Sequence, residues 1–276
     1  MQPGMVVSEE TFRNHIKWLA RYLNVIRLTD FKEKNFNTEQ PACVITLDDG
    51  WVDNYTYAYP ILKEFKIPAT IFLVTNMIDT EHYFWPERLG LLLKDAAAKA
   101  SLKKQVREKY ASELVAYDDL VQLLKSKDDE SIIGLLDEVE KEAESSGRRF
   151  ESERQILNKE ELAEMEASGL VEYGSHTANH IRLDKVPARQ ALHEITESKN
   201  CLDALLTKPV STFCYPNGGY TSEVVDAVAG IYDLACTTDN GWVNVKSNRY
   251  TLNRVMLHDD ISNAESLFWG RVLGFF

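Results

Sequence analysis

Two short strings hold side chains able to do metal chemistry. VITLDDG, at 44–50, places adjacent carboxylates, Asp48 and Asp49, at the end of an apolar β-type run. EYGSHTANH, at 172–180, places His176 and His180 just after a second such run. One carboxylate and two imidazoles form a divalent-metal site with coordination positions left over, and open positions imply chemistry rather than a structural staple. Metal-assisted hydrolysis needs a nucleophilic water and a polarised electrophile. An ion held by two His and one Asp supplies both, and a neighbouring carboxylate can take the water's proton. Neither string is decisive alone: Asp-Asp-Gly is also a common turn, and histidines four apart also occur on helix surfaces. Their weight lies in the conjunction, because both follow strand-like runs and so fall on the same rim of a parallel sheet. Adjacent strand residues point to opposite faces, so Asp48 and Asp49 share one site only if the strand ends there, and Gly50 permits that turn.

The elements that must hold these strings follow an α/β rhythm. Ser8 can cap a helix bearing Glu9 and Glu10 in its first turn, with Phe12, Ile16, Leu19 and Leu23 as its apolar stripe. Residues 43–47 read as a buried strand, 53–65 as a helix and 69–74 as the next strand, a β-α-β unit with parallel strands. From 86 to 146 the pattern turns helical, rich in Leu, Ala, Lys and Glu, and reads as an insertion ended by Ser145-Ser146-Gly147. Asn158 and Glu161 then have capping-box spacing, and Gly169 suits a helix C′ position. Further strands are expected at 170–173, 210–215, 232–237 and 252–257, with helices at 187–206 and 222–229. Repeated β-α units with site residues at strand C-terminal ends suggest a barrel-like parallel α/β fold.

Composition excludes several partners. A formal charge of −12 gives no reason to expect nucleic acid or anionic lipid. No stretch approaches a membrane span, and the opening MQPGMVVSEETF has neither the basic nor the apolar region of a signal peptide, so a cytoplasmic location is expected. Cys43, Cys201, Cys214 and Cys236 show no CxxC spacing and read as buried free thiols. Trp51 and Trp85 are candidates for a sugar-stacking platform, against the commoner fate of core packing. His15, His82 and His193 read as structural or solvent-facing.

VITLDDG, GSHTANH and FCYPNGGY occur in the order and rough spacing of the polysaccharide deacetylases, the NodB-homology domains of carbohydrate esterase family 4. The string DNYTYAYPILKEFKIPATIFLVT also resembles that family's first helix and next strand. The resemblance covers most of the chain outside the helical insertion. It implies one catalytic domain over 1–276, a distorted (β/α) barrel with fewer than eight full repeats, and 86–146 inserted within it. It implies hydrolysis of N-acetyl, less often O-acetyl, groups on an acetylated saccharide. Asp48 would be the general base acting on a metal-bound water, with Asp49, His176 and His180 as the ligands. Zn2+ is the first expectation for the ion, with Co2+, Ni2+ or Fe2+ also fitting such a donor set.

The rest of the family pattern is altered. Where the family carries Arg-x-Pro-Tyr-Gly, this chain has Cys214-Tyr215-Pro216-Asn217-Gly218. The arginine that braces the catalytic aspartate is thus Cys214, and a different brace for Asp48 is needed. Tyr215 and Asn217 would serve the substrate and oxyanion, Asn217 through its backbone N–H. The fourth motif is not recognisable, and Asp239 in that region reads as a turn residue. His258, directly after an apolar run, would protonate the leaving amine. An upstream Tyr-His-x-Val strand is not seen: either the barrel lacks one strand or the chain is a truncated version, and a missing strand would leave an exposed edge through which an oligomer could form. The loss of the motif arginine keeps a second reading open, a catalytically degraded member that binds glycan without cleaving it. A third, the non-haem iron oxygenase triad, would favour an antiparallel β fold, against the β-α rhythm.

Overall fold

The computed structural model describes residues 6–33, 40–114, 116–145, 153–244 and 246–275. In chain order the elements are α1 Glu9–Tyr22, β1 Asn24–Val25, α2 Leu28–Glu33, β2 Ala42–Cys43, β3 Thr46–Leu47, α3 Tyr59–Phe65 and β4 Ala69–Leu73. Four helices follow: α4 Trp85–Lys94, α5 Ala96–Tyr110, α6 Tyr117–Lys125 and α7 Asp129–Ser145. The chain continues with α8 Lys159–Ala167, β5 Val171–Ser175, α9 Ala188–Leu205, β6 Thr212–Cys214 and α10 Ser222–Ala229. It closes with β7 Leu234–Asn240, β8 Leu252–Arg254, α11 Asp259–Ser262 and α12 Glu265–Val272.

Strands β3 to β8 form a six-stranded, all-parallel sheet in sequential order, curled into an open barrel. Each strand lies beside its chain neighbour: the connections from β3 through to β7 cross over through helix, whereas the described residues between β7 and β8 form turns without a helix. Period-two alternation divides the side chains. On β4, Ile71 and Leu73 join the layer packed against α8, α9 and α10, while Phe72 points to the other face. There it meets Cys214, Leu234, Cys236 and Leu252 from β6, β7 and β8, together with Leu28 of α2. All five residues of β4 are buried because both faces are covered.

Local chemistry explains the element ends. The Ser8 hydroxyl accepts from Thr11 N–H at 3.3 Å and starts α1. Asn158 and Glu161 make both bonds of the capping box, and Gly169, with φ 70°, ends α8. The expected strand at 43–47 is two strands. Ala42–Cys43 pairs with β1, and the chain then changes partner, Ile45 C=O accepting from Thr70 N–H, so that Thr46–Leu47 pairs with β4. The expected helix at 53–65 is α-helical only from Tyr59; Asn54–Ala58 is a π-helix. Pro60 has no N–H, and its ring would crowd the carbonyl four residues back; the wider turn relieves that crowding. Asp239 lies on β7 rather than in a turn, because a bulge between Cys236 and Asn240 lets β7 run on to pair with Arg254.

Two compact units divide the chain. One is residues 3–80 with 155–276, the sheet and its helices. The other is 81–154, whose helices α4 to α7 bury their own core of Leu89, Leu102, Val106, Leu124, Leu136 and Val139. Ser145 is the last residue of α7; Ser146 and Gly147 of the expected stop lie outside the described residues. Among the described residues, no helix is long and apolar enough to cross a membrane.

Candidate active site

Strand β3 stops at Leu47, and the chain turns back at once: Asp49 and Gly50 have φ of 72° and 76°. A Cβ on Gly50 would lie 2.8 Å from Leu73 Cδ2, so the turn needs glycine for space as well as for φ. The reversal brings both aspartates to one rim. His176 follows β5 directly, its N–H bonded to Leu73 C=O at 2.9 Å. His180 sits one short loop later.

The expected ligand set converges. Asp49 Oδ1 lies 3.4 Å from His176 Nε2 and 3.3 Å from His180 Nε2. The other Asp49 oxygen accepts from the Trp51 indole N–H at 3.0 Å, so Trp51 orients the carboxylate. Oδ1 is buried and makes no hydrogen bond. A buried carboxylate oxygen left without a partner and facing two imidazole nitrogens fits a divalent cation. His176 Nδ1 bonds the Cys214 carbonyl at 2.7 Å; that bond fixes the ring with Nε2 turned toward Asp49. Burial pushes the Asp49 carboxyl up, but the two imidazoles more than offset this and hold it well below the usual carboxylate range.

Asp48 has a brace that the sequence reading did not name. Arg254, at the end of β8, donates from Nη1 to Asp48 Oδ1 at 2.8 Å and from Nη2 to Oδ2 at 2.7 Å. The same guanidinium donates to Thr237 C=O at 2.7 Å and to Thr46 Oγ1 at 3.1 Å. It therefore reaches from β8 to β3, the two edges of the sheet, across the opening of the barrel. Burial raises the Asp48 carboxyl; Arg254 outweighs it and keeps the group below its ordinary value. Cys214 occupies the interior beside them, its Sγ 3.7 Å from Asp48 Oδ2. Burial pushes this thiol well up, so it stays a neutral S–H donor. The signal was present in Leu252-Asn253-Arg254: with period two, Arg254 shares the inward face of Leu252, and an inward arginine demands a counter-charge.

The remaining candidates are less tightly gathered. Asn217 stands on the same rim in a left-handed conformation, φ 54°, its C=O accepting from Thr238 Oγ1 at 3.3 Å. Gly218 after it packs against Thr238 too closely for any Cβ. The Tyr215 phenol is turned into the core and donates to Tyr250 C=O at 2.9 Å, which anchors this turn. His258 starts α11, with Nδ1 3.4 Å from Asp260 Oδ2. Among the described residues no hydrogen bond joins it to Asp48, Asp49, His176 or His180. Trp85 packs on the core of the helical unit. All four cysteines are free; Cys214 and Cys236 are buried, Cys43 and Cys201 partly so.

Backbone strain gathers at the same rim. Of seven non-glycine residues with positive φ among the described residues, Asp49, Thr177, His180 and Asn217 belong to this site. Strained residues persist where the surroundings over-determine them, commonly at functional sites.

The family profile described as polysaccharide deacetylase matches residues 35–231. The chain is 23% identical over 265 residues to YxkH of Bacillus subtilis (strain 168), a protein classed with the polysaccharide deacetylases; the match spans 94% of this chain and 68% of YxkH. It is 36% identical over 81 residues to the poly-beta-1,6-N-acetyl-D-glucosamine N-deacetylase of Staphylococcus aureus (strain N315), 28% of each chain. The fold is similar to that of the Streptococcus pyogenes deacetylase PplD, with a TM-score of 0.63 at 18% identity over 97% of this chain and 92% of that one. With most of its length inside the family profile and its sheet curled as in that fold, this chain belongs to the polysaccharide deacetylase family.

Proposed function

We propose that the protein is a metal-dependent hydrolase that removes N-acetyl groups from a glycan or glycan precursor. The observation that carries this is the two-pronged Arg254–Asp48 pair. A charged base held beside an Asp-His-His cluster is what turnover needs, and it answers the loss of the motif arginine at Cys214. A module that only bound glycan would have no use for a restrained, ionised Asp48, and the pair therefore favours an enzyme over the degraded binding reading.

Asp49, His176 and His180 would hold a divalent cation, and Zn2+ suits two imidazoles and a carboxylate. When bound, the cation supplies a Lewis acid beside the acyl carbonyl. Asp48, kept ionised by Arg254, takes the proton of the attacking water. The Asn217 N–H donates to the oxyanion that forms. His258 delivers a proton to the departing amine. The similarity to an N-deacetylase of β-1,6-linked N-acetylglucosamine makes that linkage the first substrate class to try.

The test is acetate release from β-1,6- and β-1,4-linked N-acetylglucosamine oligomers and from peptidoglycan, with metal content measured in parallel. The parent protein is expected to release acetate from at least one of these. Asp48→Asn should abolish release and retain metal; His176→Ala should lose both. A parent that binds metal and oligosaccharide yet releases no acetate would leave the binding-only reading standing.

A further inference from the structure

The loop that carries the two histidines has a shape its own residues resist. Thr177 and His180 both have positive φ, 68° and 57°, and for β-branched Thr177 this is a costly conformation. Some support comes from within: the His180 N–H donates to Thr177 Oγ1 at 2.9 Å. The 3-10 turn after β4, Thr75–Met77, adds more, since Thr75 N–H and Asn76 N–H donate to the carbonyls of Thr177 and Ala178. Between the histidines, at the exposed tip of the loop, is Asn179.

Asn179 is held from outside the motif. Its backbone N–H donates to Glu194 Oε2 at 2.8 Å, and its side-chain NH2 donates to Glu194 Oε1 at 2.7 Å. Asn76 completes the chain by donating to Asn179 Oδ1 at 3.0 Å. Glu194 lies on α9 and is only 4% exposed, on a buried face it shares with Ala191, Ile195, Ser198 and Leu202. A carboxylate buried in such a face needs compensation, and Asn179 provides it. The other buried polar residue of that face, Ser198, is one helical turn on. Its hydroxyl is 2.7 Å from that of Ser175, the residue before His176. One face of α9 thus grips the segment 175–180 at two points, once before His176 and once before His180.

We propose that Glu194 is a positioning residue for the metal ligands: by clamping Asn179 it sets His180 against His176 and Asp49. This rests on the reading of Asp49, His176 and His180 as a cation site. The clamp calls for a carboxylate, because both Asn179 groups are donors and only an ionised carboxylate offers two acceptors. Glutamine at 194 would set an NH2 against one of those donors. Nothing in Glu194 reaches the cation or the substrate, so its effect passes through the loop, as partners one step behind metal ligands do.

The experiment measures Zn2+ dissociation constants by chelator competition and the visible spectrum of the Co2+ form, on the full chain. The variants are Glu194→Gln, Asn179→Ala and the double variant, with melting of each metal-free protein. Glu194→Gln is expected to weaken Zn2+ by about tenfold or more, within the range typical of such outer partners, and to alter the Co2+ bands. Asn179→Ala should act in the same direction, and the double variant should be less than additive. A Zn2+ constant within about twofold of the parent and an unchanged Co2+ spectrum, with lower melting alone, overturns the proposal and makes Glu194 a structural tie. If Glu194→Gln does not fold, exposed Asn179→Ala decides, and unchanged affinity there overturns it as well. A parent that binds neither ion overturns the cation site itself, a result distinct from a parent that binds and a variant that matches it.

Discussion

At the scale of single residues, the site pairs two charge arrangements, each with its own support. Asp49 is aimed by Trp51 at two imidazoles; Asp48 is gripped by Arg254. The division predicts separable losses. Arg254→Gln leaves Asp48 half-buried beside a neutral thiol with no counter-charge, and should lower kcat by about 10²-fold, as the proposed role of Asp48 as general base requires. It should also destabilise the fold by about 3 kcal/mol, the usual scale when one partner of a buried pair is removed. Metal content should not change, because Arg254 bonds none of the three proposed ligands, Asp49, His176 and His180. Arg254→Lys should fall between, since an ammonium cannot match the planar fork that serves both Asp48 oxygens and Thr237 C=O. Steady-state rates, zinc analysis and melting of the same preparations check all three statements; loss of metal in Arg254→Gln would show that the two arrangements are not independent.

At the scale of elements, α1, α3 and α12 bury a shared apolar cluster of Ile16, Leu19, Ile61, Leu62 and Phe268, and α1 carries a titratable group. His15 of α1 is buried against Trp18 and Phe268, and its Nε2 is 2.6 Å from Ser262 C=O. Burial lowers its pKa below 6.5, outweighing the Ser262 bond and the nearby Asp259. The folded state therefore binds fewer protons at this position than the unfolded chain. Its contribution to stability is complete above about pH 6.5 and is lost as pH falls toward the lowered folded value. His15→Gln keeps a donor for Ser262 and removes the titration, so its melting temperature should fall less steeply between pH 7 and pH 5 than the parent's. Parallel melting curves across that range would refute this account of His15. Part of the helical pattern was legible in the sequence because capping and periodic stripes are local: Ser8, the Asn158–Glu161 box and residues 222–229 fell where expected, whereas α2, α11, α12 and the π-helical start at Asn54–Ala58 did not announce themselves. What was not legible depends on distant partners. The split of 43–47 into two strands follows from which neighbour each half pairs with, and the reach of β7 to Asn240 follows from a bulge against β8. Arg254 escaped for the same reason: its partner Asp48 lies on the opposite edge of the sheet, and the string around it was read for His258.

At the scale of the molecule, separate cores account for the two units. The buried residues of 81–154 pack among themselves, and those of the sheet unit do likewise. Each unit thus removes its own apolar surface from water, which is the main condition for independent stability. The sheet unit also closes its own ends at the point of insertion. Asp79 N–H donates to Leu157 C=O at 3.1 Å, Leu157 N–H to Gly50 C=O at 2.9 Å, and Trp51 bridges Ile156. The chain therefore leaves and re-enters this unit at neighbouring points beside the Asp49–Gly50 turn. A linker of about four Gly or Ser residues, joining Thr80 to Gln155 in place of 81–154, spans such a gap at little entropic cost. The excised protein should fold in a single cooperative transition, lose helical ellipticity in proportion to α4 through α7, and bind Zn2+ with the parent's affinity. Activity then separates two roles for the insertion. Unchanged acetate release from short oligomers with weakened release from long polymers would assign the helical unit to polymer engagement, whereas loss of metal affinity would show that the sheet unit needs 81–154 to hold its ligand loops.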